Sequence, residues 1–314
     1  MELRTVAEIV SIQLTPGGKS LYCPDVPGNP LTGRGFLEST PGCGHSIMML
    51  TWVNMMDAQA DQPYSLACLE LRGGNREGAY FADLPGLKAW ISCHPLGPSG
   101  GDLYYLSACS KGVIARIALA DVAGHGEVVS EAAANLREAL REHIDHWDQS
   151  TLIRRLNESI LRGAPDARFA TAFVASYYCQ SGELLFTNAG HQPPLWYRAA
   201  RKEWSLLEDS TPYSKEIVDL PLGLIAGTAY SQTAVLLEPG DLLLLYTDGL
   251  SETCDESGDQ LGLDRLLALA RDLPVDSAGR AGGALLSAVD LFRGSAPVAD
   301  DLTVIALERR HKPS

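Results

Sequence analysis

Four aspartates, each beside glycine or at the entrance to an apolar run, constrain this chain more than any other feature. They lie in Gly100-Gly101-Asp102, in Asp121–Gly126, in Thr247-Asp248-Gly249 and in Asp300–Val304. All but the first adjoin apolar runs that are typical of buried strands. A carboxylate at a buried strand end is costly unless a positive charge neutralises it. If the four converge, they form an all-oxygen site of the kind that Mg²⁺ or Mn²⁺ prefers.

The composition predicts an ordinary soluble globular protein in the cytoplasm. The 314 residues are 46% apolar and 20% charged, and the net charge is −14, from 25 basic and 39 acidic residues. This acidity argues against a nucleic-acid or anionic membrane partner. No apolar run approaches the ~20 residues of a membrane span, and the N-terminus lacks a signal-peptide pattern. The seven cysteines are scattered singly, which is consistent with reduced thiols.

From residue 87 onward, the pattern predicts an α+β protein, because strands come in sequential groups with pairs of helices between them. A hairpin joins Leu103–Cys109 to Val113–Val122. A long helix is expected at Glu127–Trp147, and a second one at Thr151–Leu161 with Ser150 as its N-cap. Further strands are predicted at Phe169–Cys179, Glu183–Thr187, Pro194–Arg198, Trp204–Leu207, Thr233–Leu237, Asp241–Thr247 and Leu302–Glu308, with helices near Leu263–Arg271 and Ala278–Phe292.

Residues 1–86 are interpreted as a separate N-terminal region, followed by the main domain at 87–310. Proline-glycine clusters predict short strands and turns there, and Ser46–Ala60 fits either a buried helix or a strand. Gly17-Gly18-Lys19-Ser20 fails the P-loop pattern, which needs glycine where Gln13 stands. Cys43-Gly44-His45 lacks a second pair at zinc spacing. The region is expected either to switch, dock or form dimers, or to add strands to the main domain.

Asp121–Gly126 is the most specific of the four segments. An apolar strand leads directly into Asp121, and the glycines that follow allow the backbone to approach a ligand closely. The N-terminus of the helix after Gly126 points at the same place and favours anions such as phosphate. An isolated Asp-x-x-Gly is more often a turn or a cap, but the whole string Asp-Val-Ala-Gly-His-Gly is much more distinctive.

Together the four segments resemble, in order and local context, the metal-dependent protein phosphatase (PPM) family, and specifically its bacterial SpoIIE/RsbU-like branch. The resemblance covers about residues 87–308 and includes Phe169–Phe173, Asn188–Pro194 and Pro221-Leu222-Gly223. It implies an α-β-β-α sandwich, in which helices flank two central antiparallel sheets, with a small N-terminal extension. It also implies two Mn²⁺ or Mg²⁺ ions, or a third beside them, between the sheets.

The resemblance also implies the ligands. Asp121 would bridge two ions, and the Val122 carbonyl would bind one of them. Asp102, Asp248 and Asp300 would complete the set or hold coordinated water, with Asp301 in a neighbouring or water-mediated role. Asp121, Asp102 and Asp248 are therefore the candidate catalytic residues.

Some positions depart from the family pattern or leave alternatives open. Tyr105 stands where the branch often has a second acid, which would alter an accessory metal contact or the surrounding shell. No arginine precedes Gly100 to clamp phosphate, so Arg116 and Arg168 are the remaining candidates. His125, Asn188 and His191 fit either a site role or a structural one.

The resemblance implies hydrolysis of phosphoserine or phosphothreonine in a phosphoprotein by metal-activated water. An anti-sigma-factor antagonist in a bacterial partner-switching pathway is the expected substrate, and a homodimer is one expected assembly. Two alternatives stay open: a weakly active or inactive scaffold that binds a regulatory phosphoprotein, and a metal-dependent hydrolase of another phosphoester.

Overall fold

The computed structural model describes residues 11–15, 18–22, 68–97, 100–109, 111–124, 127–146, 148–163, 169–207 and 219–310. The chain divides into two compact units, Met1–Pro63 and Tyr64–Ser314. In the first unit, β1 (Ser11–Thr15) and β2 (Gly18–Tyr22) form an antiparallel hairpin. The predictions for Cys43, His45 and Ser46–Ala60 lie outside the described residues.

The second unit contains two six-stranded antiparallel sheets. Its strands are β3 (Cys68–Gly74), β4 (Gly78–Leu84), β5 (Leu87–His94), β6 (Asp102–Cys109), β7 (Ile114–Val122), β8 (Ala170–Tyr178), β9 (Glu183–Ala189), β10 (Leu195–Arg198), β11 (Glu203–Leu206), β12 (Thr233–Leu236), β13 (Leu242–Tyr246) and β14 (Leu302–Arg309). Sheet 1 has the order β11-β10-β13-β14-β5-β4, and sheet 2 has the order β12-β9-β8-β7-β6-β3. Every pairing between neighbours is antiparallel.

Helices cover the outer face of each sheet. They are α1 (Glu127–His143), α2 (Gln149–Gly163), α3 (Asp248–Ser251), α4 (Gly262–Ala270) and α5 (Ala278–Arg293). One apolar cluster joins α1 and α2 to sheet 2, and another joins α4 and α5 to sheet 1. A third lies between the sheets. The α-β-β-α sandwich implied by the resemblance is confirmed. Among the described residues, no helix is both long and apolar enough to cross a membrane.

The alternation of side chains along β6 and β7 decides which residues face the other sheet. In β7, Ile117 and Leu119 belong to the cluster between the sheets, whereas Ala118 and Ala120 belong to the cluster under the helices. Because successive strand residues point to opposite faces, Asp121 continues the face between the sheets. The same parity in β6 puts Asp102 on that face with Tyr104 and Leu106.

The structure differs from the expected domain boundary. β3 pairs with β6 at the edge of sheet 2, and β4 pairs with β5 at the edge of sheet 1. The unit that contains both sheets therefore begins well before residue 87, and the boundary expected after residue 86 falls inside it. The proline-glycine pattern upstream obscured this, because edge strands are short and only half-buried.

Two helix ends also differ from prediction. The long helix ends at His143 rather than Trp147. The second helix begins at Gln149, and its capping carboxylate is that of Asp148, which accepts a hydrogen bond from the Thr151 amide at 2.8 Å. Hydrogen bonds to the first-turn amides lower the pKa of Asp148 although its partial burial acts in the opposite direction. Ser150 therefore lies inside the helix, because the neighbouring aspartate satisfies the amides first.

Candidate metal centre

Asp102 and Asp121 lie opposite one another on neighbouring strands, at one end of sheet 2. They are register partners in the antiparallel pair β6–β7, and both side chains point between the sheets. Like charges directly opposite each other in a sheet are destabilising. The arrangement therefore indicates a place where a cation is needed.

Gly101 leaves the Val122 carbonyl open beside these carboxylates. A Cβ at position 101 would lie 2.7 Å from the Val122 oxygen and 3.2 Å from Oδ1 of Asp121. The Val122 amide donates to the Gly101 carbonyl at 3.2 Å, which holds the two segments together. Glycine is required at this position because any side chain would cover both oxygens.

Asp248 approaches from sheet 1, at the end of β13. It is the first residue of the one-turn helix α3. The hydroxyl of the preceding Thr247, which is fully buried, donates to Oδ2 of Asp102 at 2.8 Å and accepts from the Thr303 amide at 3.0 Å. One threonine hydroxyl thus connects the acidic end of β6 with β13 and β14 of the opposite sheet.

Asp300 and Asp301 have different environments. Asp301 is 7% exposed, and its two carboxylate oxygens accept hydrogen bonds from the amides of Leu96 and Gly101, each at 2.5 Å. Asp300 is exposed, and its Oδ1 accepts from the Asp301 amide at 2.8 Å. Asp301 therefore holds the loop that carries Asp102, whereas the carboxylate of Asp300 keeps free acceptor capacity.

The pKa values show how unfavourable these charges are without a cation. Burial, together with the charges of Asp248, Asp300, Asp301 and Glu252, raises the pKa of Asp121 to about 7. Charge neutralisation by a cation would reverse this effect.

The pKa values of Asp102 and Asp248 shift in the same direction as that of Asp121. Burial raises the pKa of Asp102 well above its usual range, as does the charge of Asp121, although hydrogen bonds from Thr303 and Thr247 oppose the shift. Burial also raises the pKa of Asp248, with further contributions from the charges of Asp300 and Glu252.

The residues present fit Mg²⁺ or Mn²⁺. The described donors that converge here, the carboxylates of Asp102, Asp121, Asp248 and Asp300 and the Val122 carbonyl, are all oxygens, and that carbonyl is open because position 101 is glycine. In the described part of the chain, no three Asp, Glu, His or Cys side chains form a ready-made ligand shell by themselves. A main-chain carbonyl and water would have to complete the coordination, as they commonly do around Mg²⁺.

Tyr105 and Arg116 both lie on the face of sheet 2 that packs against the helices. Tyr105 is 1% exposed and packs under the helices with Leu103, on the opposite face of β6 from Asp102. The side chain at position 105 therefore points away from the carboxylates, because an offset of three residues along a strand reverses the side-chain direction.

Arg116 is buried under the helices in the same way. Its guanidinium donates to the Ser176 hydroxyl at 3.0 Å and to the His146 carbonyl. It therefore braces the connection between α1 and α2 and does not face the carboxylates. Arg168, the other candidate for a phosphate contact, lies outside the described residues, as does His125.

Two contributors were not singled out by sequence reasoning. Thr247 connects the two sheets through its hydroxyl. In the sequence, only its position directly before Asp248 could have indicated this role. Glu252 raises the pKa of both Asp121 and Asp248. Its spacing of four residues from Asp248 is the usable signal, because residues i and i+4 share one face of a helical turn.

Comparison with known proteins agrees with this geometry. Residues 114–310 match the family of Stage II sporulation protein E (SpoIIE). The chain belongs to the SpoIIE family. Phosphoserine phosphatase RsbU of Bacillus subtilis (strain 168) is 28% identical over 167 residues, which cover 52% of this chain and 46% of that protein. The chain thus spans about half the length of this curated relative.

Solved structures show the same fold. The RsbU and RsbW domains of Rv1364c from Mycobacterium tuberculosis superpose with a TM-score of 0.61 at 27% identity, covering 74% of this chain and 63% of that one. The PP2C phosphatase domain of SpoIIE from Bacillus subtilis, with a fragment of its regulatory domain, gives 0.61 at 17% identity and covers 97% and 82%. RsbX in complex with magnesium gives 0.54 at 15% identity and covers 74% and 99%.

Proposed function

We propose that this SpoIIE-family chain is a metal-dependent phosphoprotein phosphatase that hydrolyses phosphoserine or phosphothreonine in a partner-switching signalling pathway. The convergence of four carboxylate-bearing segments at one end of the two sheets carries the proposal. The name of the RsbU relative supports phosphoserine as a substrate, and the magnesium complex of RsbX supports a divalent ion. The expected partner is a phosphorylated anti-sigma-factor antagonist.

Each carboxylate has a distinct task in this proposal. Asp121 and the Val122 carbonyl would hold ions from sheet 2, with Asp102 beside them. Asp248 and Asp300 would hold them from the other side. Bound Mn²⁺ or Mg²⁺ supplies Lewis acidity toward phosphoryl oxygens and lowers the pKa of water. The exposure of Asp300 supports access of a phosphorylated side chain to this end of the sandwich.

Two of the described cysteines, Cys68 and Cys93, are unsuited to act as the nucleophile of a cysteine phosphatase. A cysteine phosphatase needs a thiolate nucleophile with a lowered pKa. Burial raises the pKa of Cys93 to about 11 and that of Cys68 to about 12. Both thiols stay protonated at neutral pH, so neither can serve as the nucleophile.

Phosphate release with and without Mn²⁺ tests the proposal. Phosphoserine, phosphothreonine and phosphotyrosine peptides are compared with small phosphoesters. We expect metal-dependent phosphate release from the phosphoserine and phosphothreonine peptides. Asp121→Asn and Asp248→Asn should each lower the rate of release at least 100-fold, as removal of a central catalytic group does. The matched control is Asp272→Asn, which makes the same change at an exposed position.

The results separate the proposal from its alternatives. Wild-type protein that releases no phosphate but binds the phosphoprotein would indicate a scaffold. Preference for small phosphoesters would indicate another hydrolase. Full Mn²⁺-dependent activity in Asp121→Asn would show that the assigned residues are wrong.

A further inference from the structure

His191 occupies an unusual position beside the carboxylate cluster. It is 7% exposed, and its Nδ1 lies 2.9 Å from the hydroxyl of Thr171. Thr171 is the register partner of Asp121 on β8, so its side chain shares the face between the sheets. The imidazole therefore contacts the residue directly beside the central carboxylate.

The ring also reaches toward sheet 1. Burial lowers the pKa of His191 to about 4, and the backbone of Tyr246 acts in the opposite direction. Tyr246 ends β13, two residues before Asp248. The imidazole is thus neutral at physiological pH and lies between the strand that adjoins Asp121 and the strand that leads to Asp248.

The loop that carries His191 is held rigidly. The Asn188 side chain accepts from the His191 amide at 2.7 Å and donates to its carbonyl at 2.9 Å. Gly190 has a φ of 69° and packs against Pro221, so a side chain there would be both strained and crowded. The Tyr246 hydroxyl donates to the Pro193 carbonyl at 2.8 Å, which fastens the loop to sheet 1.

The contact with Thr171 is the well-formed side-chain hydrogen bond of this imidazole among the described residues. Nε2 is buried without a hydrogen bond of normal geometry, and the Tyr246 backbone is the polar group that acts on the ring from that direction. An apolar side chain of similar size would fill the same space but would lose the bond to Thr171. The imidazole is therefore better explained by the threonine that it holds than by packing alone.

We propose that His191 is a positioning residue that fixes Thr171, and through it Asp121, at the correct distance from Asp248 for binding divalent ions. This inference rests on the proposed function, because it concerns the ions that the phosphatase would use. It assigns His191 no contact with substrate or metal. Residues that orient ligands in this way are worth 10–100-fold in metal affinity.

Direct binding of Mn²⁺ to the full chain, measured by calorimetry, tests the role without relying on activity. We expect His191→Leu and Thr171→Val each to raise the Mn²⁺ Kd about 10-fold. The Mn²⁺ Kd of the double variant should rise by less than the product of the two single effects, because both changes break the same contact. His191→Asn, which keeps a polar atom near the position of Nδ1, should restore most of the affinity.

Thr187→Val is the matched control. The Thr187 hydroxyl is buried on the helix side of sheet 2 and donates to the Ser231 carbonyl at 2.9 Å. Its loss should lower the melting temperature and leave the Mn²⁺ Kd unchanged. If His191→Leu does not fold, Thr171→Val and His191→Asn carry the test.

The outcomes are distinguishable. Unchanged Mn²⁺ affinity in folded His191→Leu or Thr171→Val would overturn the positioning role while leaving the proposed function intact. An equal loss in Thr187→Val would also overturn it, because the effect would then follow general stability. Wild-type protein that binds no Mn²⁺ would overturn the proposed function and this inference together.

Discussion

At the scale of single residues, neighbouring aspartates in this chain have different tasks. Both carboxylate oxygens of Asp301 accept hydrogen bonds from main-chain amides. Asp300 is exposed, and its negative charge raises the pKa of Asp248 and of Asp121. The resemblance implied Asp300 as the ligand, with Asp301 in a neighbouring or water-mediated role, but adjacent identical residues carry no physical reason for that difference. The physical reason lies in which amides reach each carboxylate in the fold.

Substitution of these two aspartates should separate stability from metal binding. We expect Asp301→Asn to lower the free energy of unfolding by about 1–3 kcal/mol, because charged acceptors of buried amides are lost. Asp300→Asn should change stability by less than about 0.5 kcal/mol and weaken Mn²⁺ binding. Urea denaturation with EDTA and calorimetric titration with Mn²⁺ measure the two effects. A loss of stability in Asp300→Asn with weaker Mn²⁺ binding in Asp301→Asn would contradict this assignment.

Asp121→Asn should stabilise the protein when divalent ions are removed. The substitution removes a buried charge that faces other carboxylates, so we expect a gain on the order of 1 kcal/mol at pH 8. The folded-state pKa is about 7 against a usual value of 3.8. The stability of the wild type should therefore fall, relative to the variant, as pH rises from about 4 through 7. Melting curves in EDTA measure this difference, and pH-independent parallel curves would contradict it.

At the scale of secondary-structure elements, the edge strand β3 is fastened to helix α1 by an ion triad. Glu70 accepts hydrogen bonds from Arg137 and Arg141, each at 2.5 Å. Partial burial acts to raise the pKa of Glu70, but the two arginines outweigh it and lower the pKa below its usual value of 4.5. The triad connects the first strand of sheet 2 with the helix that follows Asp121 and Val122.

Replacement of Glu70 by Gln should weaken this connection. We expect a loss of about 1 kcal/mol at pH 7, because a partly exposed pair is screened by solvent. A carboxylate with a lowered pKa stabilises the fold above its unfolded pKa, and this contribution is lost as pH falls through the folded value. Wild type and variant should therefore converge in stability as pH falls below the usual pKa of glutamate. The exposed Glu138→Gln is a suitable control.

Most of the secondary-structure elements could be predicted from the sequence. The alternating apolar runs correctly predicted the strands and helices from residue 102 onward, because burial on one or two faces dictates periodicity locally. No strand was predicted at β3, β4 or β5, and extra strands from the region before residue 87 were only one of two open alternatives. β3 and β4 are half-buried edge strands, which carry little apolar signal. The convergence of four distant motifs was inferred from resemblance, since spacing along the chain does not fix which strand ends meet.

At the scale of the whole molecule, both sheets depend on strands that precede residue 87. We expect a fragment of residues 64–314 to unfold cooperatively. A fragment of residues 87–314 should aggregate or melt at least about 5 °C lower, because loss of β3 and β4 leaves unpaired strand edges. Size-exclusion chromatography and thermal denaturation compare the two. Equal melting temperatures would show that these edge strands are dispensable.

The sequence by itself determined the family, the sandwich of sheets and helices, and the four acidic segments, because short motifs and periodicity are local properties. Tertiary structure decided which groups meet. It gave Asp301 the main-chain hydrogen bonds that Asp300 lacks, turned Tyr105 and Arg116 away from the carboxylates, and placed His191 between Thr171 and the end of β13. Side-chain direction, burial and cross-sheet contact depend on partners far apart in the chain, and only the folded arrangement specifies them.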